Sequence, residues 1–210
     1  MKKILSLFAL LFSLQSFAQQ DTIPQPKWAI TWSPFALADR SGGQALRFGF
    51  EKKLVKRVGL YNELNVYLPG QAYYACAKGF RIREEIRLYD KHAKPNRLGY
   101  CGFSVMYKYQ QLFVEPREFT LEKNVYAFGF PFGFITTFSS SGLFVDMSII
   151  PGIRIKEAHA LAHPENSPDA IGALNWGEPA YFALEEGSSS LPDLQVSLKF
   201  GWAAGRKSKR

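Results

Sequence analysis

The residues best equipped for chemistry lie late in the chain. "EAHALAH" sets His159 and His163 four apart, which puts both imidazoles on one face if the segment is a helical turn. Glu157 and Glu165 are close by, and Ser167 and Asp169 follow. Two imidazoles at that spacing can ligate a metal. His, Asp and Ser at the rim of a membrane protein can also serve a lipid-modifying enzyme or a protease. The pattern stops short of either: there is no H-E-x-x-H, no cysteine ligand and no third partner at a fixed offset. The expectation is a surface-loop pair, with no enzyme activity, no catalytic residue and no cofactor. His159 and His163 stand only as weak metal candidates.

The two cysteines, Cys76 and Cys101, are the other reactive groups. Export would permit a disulfide. If their strands pair across a turn near Lys91–Lys94, Cys76 faces about Gln110 and Cys101 faces about Glu85. The thiols then sit roughly nine residues, or ~30 Å, apart along the sheet. A bridge needs Cα atoms within ~7 Å, so two free thiols are expected.

Whatever positions these groups is exported. "MKKILSLFALLFSLQSFAQQ" has a basic start at Lys2 and Lys3, a short apolar run from Ile4 to Leu14, and small residues at Ser16 and Ala18. This reads as a signal peptide over residues 1–18, cut after Ala18, and the apolar run is too short for a spanning helix. Residues 19–26 are a lead-in. The formal charge of +8 is largely terminal: Lys2 and Lys3 leave with the leader, and Arg206, Lys207, Lys209 and Arg210 lie in a basic tail, residues 204–210. No nucleic-acid module appears. A tail of this kind is either a solvated end or a contact for acidic headgroups.

Between leader and tail the chain alternates, apolar against small or polar, in eight runs. They are Trp28 to Phe35, Ala45 to Lys53, Val58 to Leu68, Ala77 to Tyr89, Leu98 to Gln110, the run containing "YAFGFPFGF", Leu143 to Lys156, and Leu194 to Trp202. The sixth puts Tyr126, Phe128, Phe130, Phe132 and Phe134 on one face. The eighth does the same with Leu194, Val196, Leu198, Phe200 and Trp202. Two residues interrupt the apolar faces, Asn62 in the third run and Glu84 in the fourth. The opposite faces carry glycines beside Arg47, Glu51, Glu63, Arg81, Arg83, Glu85, Arg87, Asp146, Arg154 and Lys199. Connections after the second, fourth and sixth runs are shorter than those after the third, fifth and seventh, and the last, about 157–191, is the longest.

These features predict an all-β fold: an eight-stranded antiparallel up-and-down transmembrane β-barrel over residues 27–203. Small residues and a few charges suit the narrow interior of an eight-stranded barrel better than four or five large apolar side chains per strand. From Tyr126 to Phe134 the chain runs roughly 27 Å, which rises ~20 Å when tilted by about 40°, close to the ~25 Å apolar band of membrane barrels. Five aromatics on one face offer roughly 1,000 Å² of apolar surface, more than a soluble monomer exposes. Buried charges are costly unless paired, so the inward set predicts a lumenal salt-bridge network and a closed lumen. Pro131, which lacks an N–H, predicts a bend or bulge in the sixth strand. Gly129 and Gly133 predict room for inward Arg side chains.

"KWAITWSPFAL", "GGQALRFGFEKKL", "RVGLYNELNVYL", "KNVYAFGFPFG" and "VSLKFGW" together resemble a family of small outer-membrane β-barrel proteins of unknown function, similar in architecture to OmpA-type barrels. The resemblance covers roughly Lys27 to Trp202. It implies a barrel in the outer membrane of a Gram-negative cell and brings no catalytic residues. Such barrels end on an aromatic residue read by the insertion machinery. Trp202 takes that place here, with "AAGRKSKR" after it.

The expected role is structural or interactive. Partners would be outer-membrane lipid, the barrel-insertion machinery, and an extracellular or membrane partner reached through the last loop. In that loop Trp176, Tyr181 and Phe182 are candidate contacts. A narrow channel and an exported soluble β-barrel binding an apolar ligand are the alternatives.

Overall fold

The computed structural model describes residues 27–37, 44–72, 75–91, 97–114, 119–138, 142–161 and 187–204. The residues expected to form the leader and lead-in, and most of the basic tail, lie outside these residues. So do His163, Ser167, Asp169, Trp176, Tyr181 and Phe182.

The described chain is all-β apart from a short 3-10 turn, Pro34–Leu37. Its strands are β1 (Trp28–Trp32), β2 (Ala45–Val55), β3 (Val58–Ala72), β4 (Ala75–Tyr89), β5 (Arg97–Val114), β6 (Phe119–Gly129), β7 (Phe132–Thr137), β8 (Leu143–Ala160) and β9 (Gly187–Ala204). Every pairing is antiparallel, and β9 returns to pair with β1, so the sheet closes into a ring.

β6 and β7 occupy one place in that ring, between β5 and β8. The break falls at Phe130 and Pro131, where proline cannot donate to the ladder. No bulge forms there. Gly129 faces Ser104 and Gly152, Phe132 faces Cys101 and Ile149, and all three strands advance three residues between these points. The Phe130 amide instead donates to the Pro151 carbonyl at 2.9 Å. The expected bend is thus a gap in the ladder with the register intact, and the ring has eight places filled by nine strand segments.

Register sets the shape. Partners followed round the ring run Leu143, Trp202, Ile30, Phe50, Asn62, Glu84, Val105, Phe128 and Ile153, back on β8 ten residues from the start. With strands ~4.7 Å apart and ~3.3 Å per residue, that offset over eight places gives a tilt of about 41° and a radius of about 8 Å. One circuit of the row climbs ~25 Å along the ring axis.

The strands exceed their expected lengths. β3 runs to Ala72 and β4 begins at Ala75, so the connection after the third strand is short, contrary to the expected longer loop. β5 and β6 are separated only by residues 115–118. The last connection shrinks to 161–186 because β8 continues through His159 to Ala160 and β9 starts at Gly187. The β4–β5 register also differs from expectation. Cys76 faces Phe113 and Cys101 faces Leu88, three residues from the predicted partners. The reason is parity: side chains opposite each other share a face, so outward Cys101 cannot face inward Glu85. The two cysteine positions lie farther apart than predicted, and Cys101 is a free, exposed thiol.

Burial is inverted relative to a water-soluble globule. Exposed large apolar side chains recur on the outward face of every strand, among them Trp32, Phe48, Leu64, Ile86, Phe103 and Ile149. Buried positions inside include arginine, lysine and carboxylates. Small apolar clusters join Ala36, Ala45 and Tyr67, and Met106, Val125 and Ala127. A six-residue apolar cluster lies inside one end of the ring, where Ala29, Tyr89, Tyr100, Ile135, Phe144 and Ala203 meet. Gly201 makes that packing possible: a Cβ there would lie 2.2 Å from the Phe144 ring. Gly201→Val is therefore expected to destabilise the fold by about 1–3 kcal/mol, read as a lower urea midpoint. An unchanged midpoint would mean that Phe144 has room to move aside.

Candidate functional site

The strand period of two sends Glu51, Glu63, Arg81, Arg83, Glu85, Arg87, Asp146 and Lys199 into the same interior. The register then decides who meets whom. Gly59 and Gly102 flank Arg87, and Asp146 faces Lys199. The long guanidinium of Arg87 therefore crosses the interior to β2 and β8.

Arg87 is the hub of the lower half. Its Nε and Nη2 donate to Glu85 Oε2 at 2.9 and 2.7 Å. Its Nη1 donates to Glu51 Oε2 and to Asp146 Oδ2, both at 3.0 Å. The guanidinium carbon lies 4.0 Å from the Tyr61 ring centre and 4.4 Å from that of Tyr100, a cation–π clamp on the same group. Arg87, Glu85 and Asp146 are each 0 % exposed, so every one of these contacts is made away from bulk water. Tyr100 donates to Asp146 Oδ1 at 2.7 Å, and Tyr89 donates to Glu51.

Glu63 is the counterpart above. Arg81 Nη2 donates to it at 2.7 Å and the Tyr61 hydroxyl at 3.2 Å. Arg83, Lys199 and Arg47 approach it at 3.8, 3.8 and 3.9 Å. Lys199 ties the halves together, with Nζ 3.7 Å from Asp146 and 4.0 Å from Glu85. Nearer the other mouth, Arg154 Nη2 pairs with Asp193 Oδ1 at 2.7 Å, and Arg83 donates to Gln195. All ten charges singled out in the sequence line this interior.

Several members were missed. Asp193 falls between the expected last connection, about 157–191, and the expected eighth run from Leu194, yet it sits in β9, with Pro192 outward beside it. Tyr61, Tyr89 and Tyr100 are not among the residues singled out in the sequence, although inward parity beside a charge is a usable signal. The expected room at Gly129 and Gly133 is not taken by arginine. A Cβ at Gly133 would lie 2.6 Å from the Tyr100 hydroxyl, and one at Gly129 would meet Ile150 and Pro151. Glycine at position 133 thus serves the Tyr100–Asp146 bond.

On the outer face, Tyr126, Phe128, Phe130 and Phe132 are exposed, and Phe134 is half-covered by the Arg97 guanidinium at 4.0 Å. Leu194, Val196, Phe200 and Trp202 are exposed, with Leu198 intermediate. His159 lies outward on β8 opposite Glu122, in extended chain rather than a helical turn. The helical premise that placed it beside His163 therefore fails on its side of the pair.

The arrangement is suited to holding a narrow closed sheet rigid. Its charges pair with one another, and Tyr89, Tyr100 and Phe144 pack together inside the end where β4 finishes and β8 starts. No family model, curated protein or solved structure matches the chain.

Proposed function

We propose that the chain is an integral outer-membrane β-barrel with a structural or interaction role and a closed, charged lumen. The observation that carries this reading is the inversion itself: an apolar belt on the outside of every strand around an interior of paired charges. In water that belt would exceed by far the few hundred Å² a soluble monomer exposes. In hydrocarbon it is the favourable surface, and closure leaves no unpaired strand edge. The resemblance to small outer-membrane barrels agrees with this reading, as does the signal-peptide-like pattern of residues 1–18. The turn at Lys56 and Arg57 would face the periplasm and the long β8–β9 connection the outside. That connection, with Trp176, Tyr181 and Phe182, is the proposed route to an extracellular or membrane partner.

The test is membrane fractionation combined with an unheated-against-heated gel. The protein is expected in the outer-membrane fraction, with a band that shifts on boiling. Recovery as a soluble species without detergent would sink the proposal. Conductance is a separate prediction. The Arg87 hub and the Tyr89–Tyr100–Phe144 packing lie inside a ring of only about 8 Å radius, which supports a closed lumen, so purified protein in a planar bilayer is expected to give no steady open-pore current. A stable conductance step would favour the narrow channel. An apolar ligand, the soluble alternative, would meet Arg83, Arg87 and Glu85 in that interior.

A further inference from the structure

Asn62 and Glu84, the two interruptions of the apolar pattern, are direct partners across β3 and β4 on the outward face. Among the described residues neither side chain makes a hydrogen bond or an ion pair. Their surroundings are apolar: exposed Phe50, Leu64, Ile82 and Ile86 flank them. Height along the axis follows from the register row. Starting at Leu143, Asn62 is four of eight steps up a climb of ~25 Å and Glu84 is five, so they sit at ~12 and ~15 Å. That is the middle of the belt, where a carboxyl facing lipid is unfavourable and an amide has no partner.

We propose that this face of β3 and β4 pairs with the same face of a second copy. The inference rests on the membrane reading. Two copies inserted in the same sense can be related only by a two-fold axis along the membrane normal, which makes the interface isologous. An axis between β3 and β4 sets each Glu84 opposite the partner copy's amide-bearing position, offset by only ~3 Å in height. Asn62 supplies N–H donors and Glu84 supplies acceptors, so each patch satisfies the other twice over. A lipid tail satisfies neither. A foreign partner would need its own acceptor and donor at matching heights, whereas a second copy brings them by symmetry.

The same geometry names the test. Ile82, one outward step above Glu84, falls within ~3 Å of the proposed axis, whereas Val196 on β9 lies on the far side of the ring. The full-length mature protein, carrying Cys76→Ser and Cys101→Ser, is reconstituted in phospholipid vesicles with a single new cysteine and oxidised. Ile82→Cys is expected to give mostly disulfide-linked dimer, and Val196→Cys only background. Adding Glu84→Leu to Ile82→Cys should lower the linked fraction at least fivefold while the heat-dependent gel shift persists. Equal linking at both sites, or linking unaffected by Glu84→Leu, overturns the pairing and leaves the barrel standing. In native membranes, capture of a different protein by Ile82→Cys in place of the homodimer also overturns it. Loss of the heat shift in every variant defeats the membrane reading, and the pairing with it.

Discussion

Replacing Arg87 with methionine is expected to cost about 3–5 kcal/mol of folding stability, the typical penalty for removing one partner of a buried ion pair. The reason is asymmetry. Methionine fills much of the same volume, yet Glu85, Glu51 and Asp146 each lose a charge-assisted bond of 2.7–3.0 Å. Lys199 at 3.7 Å from Asp146 and Arg83 at 3.7 Å from Glu85 soften the loss without replacing the fork. Arg87→Lys should fall between, since an ammonium keeps the charge but lacks the planar guanidinium fork that spreads its donors over three separate carboxylates. The double variant Arg87→Met with Asp146→Asn should lose less than the sum of the single changes, because each removes the other's unpaired partner. Urea unfolding in detergent micelles, followed by tryptophan fluorescence, measures all four. A loss below about 1 kcal/mol for Arg87→Met would mean that the lumen behaves as a solvated surface, where ion pairs contribute little.

The faces of the sheet were legible because a strand has a strict period of two. Once Phe128 is outward, Ala127 and Gly129 must be inward, and the same parity sorts Arg83 from Ile82. Parity does not say which inward charges meet. That Arg87 reaches Asp146 depends on the shear of ten residues, a property of eight registers taken together. A single slip of three residues between β4 and β5 was enough to misplace both cysteines. Strand ends were also hidden. Beyond the apolar belt, outward Glu122 and Glu157 alternate with inward Lys123 and Lys156, so both faces are charged and the pattern reads as loop. Asp193 falls just outside the expected eighth run, which begins at Leu194, and with it goes the partner of Arg154. Pro131 misled in the opposite sense. Its missing donor was read as a bend, but the ladder absorbs the gap without moving a neighbour.

Ile149→Arg carries the second large effect, and its size depends on what surrounds the ring. Ile149 is outward and 51 % exposed on β8, and it faces Phe132 and Val196, which are also exposed. Six residues up β8 from Leu143, it stands at ~15 Å of the ~25 Å belt, near mid-height. In a bilayer, arginine at that depth costs about 2–4 kcal/mol, falling to about 0–1 kcal/mol near the interfaces. Leu143→Arg, at the lower rim of the same strand, is the depth control. If the belt faces lipid, folding into vesicles should be destabilised strongly by Ile149→Arg and weakly by Leu143→Arg. If the belt faces water, both changes replace an exposed apolar residue with a solvated charge. Each should then fall within about 0.5 kcal/mol, as surface substitutions do. If it packs against a soluble partner instead, the penalty would follow burial in that complex and would vanish for the isolated chain. A graded loss with depth in vesicles is the outcome expected here. A flat response would remove hydrocarbon as the reason for Phe128, Phe130, Phe132 and the rest of the outward face.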